Sequence, residues 1–213
     1  MVTVGHDEVC TRSGMMTKRH NELISAVRQM LEEAGVSYDM ADLRDHVGVK
    51  AELVRAKAVD SKGNRIVANA ATIEGADILV RGLMSANSRA AVDGTVISEQ
   101  GTRRTYEAPM LGLKQAELDK VGRYKQMYDT INVDVIGAAM NVGGAIGPGL
   151  RRIIARCAEV AGEGLPAWAN WTGGNSFASA WTQRLICVVQ KANAEGVVQA
   201  RRGRARAAGV RRV

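Results

Sequence analysis

The chain has 213 residues, 46% of them hydrophobic, and 29 Lys or Arg against 22 Asp or Glu give a formal net charge of +7. That is enough apolar material for one good core, with at most a small appended piece. No run approaches the roughly 18 apolar residues of a membrane span, and the N-terminus lacks a basic-then-apolar leader, so a soluble intracellular protein with no membrane partner is expected.

The three cysteines, Cys10, Cys157 and Cys187, are odd in number and widely spaced, which excludes a disulfide framework; Cys157 and Cys187 fall in helical apolar patterns and read as core thiols. The positive charge is concentrated late. Residues 151–213 hold 11 Lys or Arg against 3 acids, which leaves the first 150 residues near neutral. The densest stretch, ARRGRARAAGVRRV at 200–213, is of the kind that contacts phosphate or stays solvated.

In chain order, MTKRHNELISAVRQMLEEAG (16–35) places Leu23, Ile24, Val27, Met30, Leu31 and Ala34 on one helical face, with Gly35 as the stop. Its first turn carries Arg19, His20 and Asn21 in a row. VSYDMADLRDHV opens as a short strand, 40–63 has no clear period and reads as helix or irregular structure, and NRIVANAATI (64–73) alternates as a strand. ADILVRG (76–82) and SRAAVDGTVIS (88–98) are two β-type runs joined by LMSAN, a hairpin. A polar loop at 99–109 ends in Pro109, and helical spacing returns from Leu113 to Ile131 through Ala116, Val121, Tyr124, Met127 and Tyr128. NVDVIGAAMNV (132–142) is a strand buried on both sides, GGAIGPG a loop, and LRRIIARCAEVAG a helix with Pro148 in its first turn. After a Gly-, Pro- and Trp-bearing connection at 162–176, a last helix starts near Ser176 with the stripe Phe177, Trp181, Leu185, Val188 and Ala192, and heads toward the Arg tail. The order predicts an α/β fold, a mixed central sheet flanked by helices.

Two acids and a lysine carry the chemical interest. Asp77 starts one strand of the hairpin and Asp93 lies inside the next, so antiparallel pairing can bring their carboxylates together as a hard oxygen site for Mg²⁺ or Mn²⁺. Lys120 sits four residues after Ala116 and four before Tyr124, within an apolar stripe, where a lysine is costly without an anionic partner. A metal to polarise a phosphate and a lysine to hold water or developing charge suit phosphodiester cleavage. The plainer alternative is a pair of edge aspartates and a snorkelling lysine.

The order RHN on an amphipathic helix, then ADILV, AAVDGTV and AELDKVGRY, resembles the restriction-like endonuclease domain of the reverse transcriptase proteins of site-specific non-LTR retrotransposons, a branch of the PD-(D/E)xK nucleases. VDVIGAAMNVGGAIGPGLRRII and WTQRLICVVQKANAEGVVQARR are similar to that family's strand, Gly-rich turn and helix and to its terminal helix, so the resemblance covers about 6–202. It implies a restriction-endonuclease-like core in which Asp77 and Asp93 are catalytic acids holding Mg²⁺ or Mn²⁺ and Lys120 is the catalytic lysine. Thr95 then stands where the commoner pattern has lysine, because in this branch the lysine sits on a helix. Arg123 and Tyr124 match a supporting Lys-Tyr pair; Arg19, His20 and Asn21 match a helix motif that supports the site and DNA binding, with Arg19 facing phosphate.

The resemblance also implies an organisation: 1–15 as the remnant of a zinc-knuckle segment, 16–161 as the nuclease-like core, 162–200 as connection and C-terminal helix, and 201–213 as a basic tail. His6 and Cys10 are half of a zinc site, and no zinc is expected, since structural sites need four ligands. Arg201, Arg202, Arg204 and Arg206 are expected on nucleic acid. The implied activity is nicking of target DNA for target-primed reverse transcription, within a larger protein that also meets RNA and, in a eukaryote, works in the nucleus. Three departures, Ala76 for proline, Gly94 for valine and a long gap between the acids, fit the alternative of a decayed nucleic-acid-binding remnant; Gly94 is expected to loosen its strand. An unrelated alternative takes VGGAIGPG as an anion-binding loop of a nucleotide enzyme, without the Gly-Lys-Ser/Thr ending.

Overall fold

The structure is a computed structural model that describes residues 15–39, 76–85, 87–98, 109–128, 133–163 and 176–207. His6 and Cys10, the 40–63 segment, the strand expected at 64–73, the 99–108 loop and most of the 162–176 connection lie outside the described residues, as do Arg211 and Arg212.

Helix α1 (Met15–Glu33) buries Leu23, Ile24, Val27, Met30 and Leu31 along one face, as the spacing predicts. It ends in a two-bond left-handed cap: Gly35 has φ 72°, Val36 N–H donates to Leu31 O at 2.9 Å and Gly35 N–H to Glu32 O at 3.0 Å. A β-branched residue at 35 would strain that turn. The chain then enters β1 (Tyr38–Asp39), pairs with β2 (Ile78–Arg81), turns, and returns as β3 (Arg89–Ile97). Helix α2 (Pro109–Tyr128) crosses over to β4 (Asp134–Asn141), and α3 (Pro148–Glu163) and α4 (Phe177–Ala207) follow. Helix α2 starts four residues earlier than its apolar spacing predicts because Pro109 begins the helix instead of closing the loop; proline needs no N–H in a first turn.

The strands form one sheet in the order β1-β2-β3-β4, antiparallel across the first two pairs and parallel between β3 and β4. The parallel pair is the one joined by a crossover helix, as parallel pairing requires. The mixed α/β class is therefore as the sequence indicates. Residues on alternate positions part to the two faces. Ile78, Val80, Ala90, Val92, Ile136, Ala138 and Met140 join α1, α3 and α4 in the main core, while Leu79, Ala91 and Val135 face α2 with Tyr124 and Tyr128.

In α4, Val189 rather than Val188 completes the buried stripe of Trp181, Leu185 and Ala192. Cys187 is exposed, which corrects its reading as a core thiol: it falls off that stripe, while Cys157 is fully buried and burial pushes its thiol up to about 12. Helix α4 continues without a break through Arg201 and Arg202 to Ala207, so the basic tail begins as helix. Among the described residues no helix is long and apolar enough to cross a membrane.

Candidate active site

The hairpin register fixes where the two acids meet. Ile78 pairs with Val92 and Leu79 with Ala91, so one step further Asp77 stands opposite Asp93. Directly opposed side chains on an antiparallel pair are nearest neighbours. The Asp77 and Asp93 carboxyls are within hydrogen-bonding reach of each other. Asp93 is 3% exposed and its β3 position alternates with Val92, which turns it toward α2.

From α2, the Lys120 ammonium reaches down to this pair. Its Nζ donates to Asp93 Oδ1 at 3.1 Å and lies 3.0 Å from Oδ2, off the direction of a hydrogen bond. Asp93 Oδ2 is buried and accepts no hydrogen bond from the described residues. From the other face of the sheet, α1 presents His20, whose Nε2 is 3.1 Å from Asp77 Oδ1. Asp77 Oδ2 accepts from Gly94 N–H at 2.7 Å. The structure thus brings together Asp77, Asp93, Lys120 and His20.

The electrostatics follow. Burial pushes the Asp93 carboxyl up, and the neighbouring Asp77 carboxyl pushes it further, against the pull of Lys120; the result is about 6. Burial also opposes ionisation of Asp77, but the hydrogen bonds from His20 and the Gly94 N–H outweigh it and hold Asp77 below the usual carboxylate range. The hydrogen bond to Asp77 raises His20 above its ordinary value against burial. Two adjacent carboxyls have therefore been driven apart, one ionised and one ready to hold a proton near neutrality.

The remaining expected residues are placed as follows. Tyr124 is buried one turn beyond Lys120, and burial, with the charge of Asp93, pushes its phenol up to about 12 against the exposed Arg123 beside it. Asn21 is exposed. Arg19 does not face outward: it is 1% exposed, and its Nη1 donates to Asn193 Oδ1 on α4 at 2.7 Å. The expectation that Arg19 faces phosphate is corrected. Four residues before Leu23, it lies on the buried face of α1 and belongs to the α1–α4 contact. Arg201 and Arg202 are exposed on α4, and Arg204 and Arg206 lie further along it.

Gly94 does not loosen its strand. It lies inside the unbroken β3–β4 ladder, paired with Ala138, and a Cβ there would sit 2.5 Å from Ile24 Cδ1. The missing side chain lets α1 come down onto the sheet, which brings His20 within reach of Asp77.

Two parts of the site are invisible to motif reading. Tyr128 OH accepts from the buried Ala76 N–H at 3.1 Å and so holds the residue before Asp77. Glu117, one turn before Lys120, is buried; its carboxylate accepts from Ala139 N–H at 3.1 Å, Gly149 N–H at 2.9 Å and Leu150 N–H at 3.3 Å. It thereby occupies the N-terminus of α3, where the helix dipole favours an anion. Burial pushes the Glu117 carboxyl above the ordinary range, and those three N–H groups pull against it. The Gly-rich loop read as a possible nucleotide-phosphate cradle is thus filled from within: a Cβ at Gly147 would sit 2.2 Å from Glu117 Oε1.

As a donor set for a cation, the site offers two carboxylates. Mg²⁺ needs no more protein ligands than one or two carboxylates, because it keeps several waters, and the buried Asp93 Oδ2, ion-paired with Lys120 but without a hydrogen bond from the described residues, keeps a lone pair to give. Among the described residues no group of three or more His, Cys, Asp or Glu forms a richer ligand cluster. Comparison of the chain with protein-family models, with curated proteins and with solved structures found no match, so the functional reading rests on this geometry.

Proposed function

We propose that the chain is a metal-dependent DNA endonuclease domain with a restriction-endonuclease-like core, cutting one strand so that the released 3′ hydroxyl can prime reverse transcription by a larger protein of which it is a part. The observation that carries this reading is the meeting of Asp77, Asp93 and Lys120 around a buried carboxylate oxygen that lacks a hydrogen bond from the described residues. The three come from the residue before β2, from β3 and from α2 and meet at one point, which supports a site for phosphodiester hydrolysis.

A divalent cation such as Mg²⁺ or Mn²⁺, held by Asp77 and Asp93, would supply Lewis-acid polarisation of the scissile phosphate. The chain's own groups do the rest. His20 and the Gly94 N–H fix the Asp77 carboxylate from two directions, so its remaining lone pairs are aimed without further ordering. Lys120, held on Asp93, offers its other N–H bonds to the attacking water or to the charge that develops on the phosphoryl oxygens. Water adds to phosphorus, the bond to the 3′ oxygen breaks, and a 3′ hydroxyl and a 5′ phosphate result. Exposed Arg123, beside Tyr124, and the arginines of α4 are suited to the DNA backbone.

The test is nicking of supercoiled DNA with Mg²⁺ or Mn²⁺ by the parent chain, Asp93→Ala and Lys120→Ala. The expected result is a loss of about 10²-fold or more in each variant. Equal activity in all three would sink the mechanism. A parent that binds DNA without cutting it would favour the second reading, a decayed nucleic-acid-binding remnant, for which the departure at Ala76 and the long gap between the acids speak.

A further inference from the structure

Asp93 pairs with Gly137 of β4, so Asp77, Asp93 and Gly137 form one row across the sheet. Helix α2 runs over that row. A Cβ at Gly137 would lie 2.7 Å from both Cα and O of Glu117, so the helix backbone lies directly against the sheet here. One turn later, Lys120 hangs over Asp93. The Glu117 side chain continues past Gly137 to the N–H groups of Ala139, Gly149 and Leu150. Gly147 and Gly149 leave room for it: added Cβ atoms would meet its carboxylate at 2.2 and 3.2 Å.

A buried carboxylate with three backbone donors from two different elements cannot slide along the helix axis without breaking charge-assisted bonds. Helix α2 is held to β4 and α3 at that one turn. We propose that Glu117 is a positioning residue: its carboxylate, locked between β4 and the start of α3, sets the register of α2 and thereby holds the Lys120 ammonium on Asp93. Glu117 touches neither acid; it acts through Lys120. Its importance for nicking rests on the nuclease reading, whereas its hold on Lys120 does not.

The test reads the Lys120 amine directly. Trace acylation of the folded full chain with acetic anhydride, followed by mass spectrometry, gives the relative reactivity of each lysine. Lys120, 20% exposed at its side chain and paired with Asp93, should react several-fold more slowly than Lys114 and Lys125, which are exposed on the same helix. Asp93→Asn removes the partner and sets the released rate. Glu117→Gln keeps the shape but turns an N–H₂ toward a backbone donor, and should move Lys120 several-fold toward that released rate while Lys18 on α1 is unchanged. Gly137→Ala, which forces α2 off the sheet with Glu117 intact, should do the same. Lys120 reactivity unchanged in Glu117→Gln overturns the proposal, and so does a rise shared equally by Lys18, which would mean general loosening.

If the parent nicks DNA, Glu117→Gln should slow it by roughly 10- to 100-fold, and adding Lys120→Ala should cost little more, because both changes remove the same interaction. Losses that multiply overturn the proposal. If the parent does not nick, the nuclease reading fails and the acylation result still decides the role of Glu117.

Discussion

At Asp93, burial and a neighbouring carboxyl together outweigh an ion pair, and that balance has a measurable consequence. A carboxyl raised from 3.8 to about 6 in the folded chain binds a proton that the unfolded chain has released. Its contribution to stability is full below the unfolded value and is lost as pH rises through the folded one, so the window runs from about pH 4 to about pH 6. Asp77, held below its ordinary value, acts in the opposite sense and only in more acid solution; His20, raised, loses its contribution above 6.5. Asp93→Asn should therefore flatten the urea-denaturation stability between pH 4 and pH 6 by about 1–3 kcal/mol, the upper figure being two pKa units and the lower allowing for the proton being shared with Asp77. Parallel pH curves for the two chains would disprove the assignment. At this scale, the conspicuous residues were legible: Asp77, Asp93 and Lys120 stand out because a charge inside an apolar run demands a partner. Glu117 does not stand out, since Ala116 and Val121 set the apparent phase of the helix one position away from it. The partners that keep it inside are backbone N–H groups, which no side-chain pattern records.

Elements were easier to read than their contacts. The end of α1 at Gly35, the β2–β3 hairpin and the stripe of α4 follow from spacing and turn chemistry; the close approach of α1 to β3 does not, because its cause is an absent side chain. Gly94 looked like a defect in a strand, yet it is the seat of Ile24. Gly94→Val drives a Cβ to 2.5 Å from Ile24 Cδ1. Overpacking of this kind costs about 1–3 kcal/mol, read as a lowered urea midpoint. Ile24→Ala costs stability alone by opening a cavity, but combined with Gly94→Val the two losses should fall short of their sum, because each relieves the other. Additive losses would mean that α1 and β3 do not meet at this point. The same substitution should weaken the His20–Asp77 pair, since that contact exists only while α1 lies close.

For the whole molecule, the asymmetry of charge is the feature that reaches furthest. The acids that hold the site lie in the near-neutral first 150 residues, while the surplus lies in the last third, where α4 keeps Arg201 and Arg202 exposed. A chain arranged in this way can bind a polyanion with one part and act on it with another. If the basic end tracks DNA backbone, each phosphate it neutralises releases condensed counterions, and the logarithm of affinity falls with the logarithm of salt by about 0.9 per contact. Removing residues 201–213 deletes Arg201, Arg202, Arg204, Arg206, Arg211 and Arg212. Fluorescence anisotropy on a short duplex, across a salt series, should then show a slope reduced by about 2 to 5, with affinity lost most at low salt. The cluster of Asp77, Asp93 and Lys120 lies outside the deleted segment, so its pH signature should survive the truncation. An unchanged salt slope would assign the tail to solvent and leave the DNA contact to the surface around Arg123.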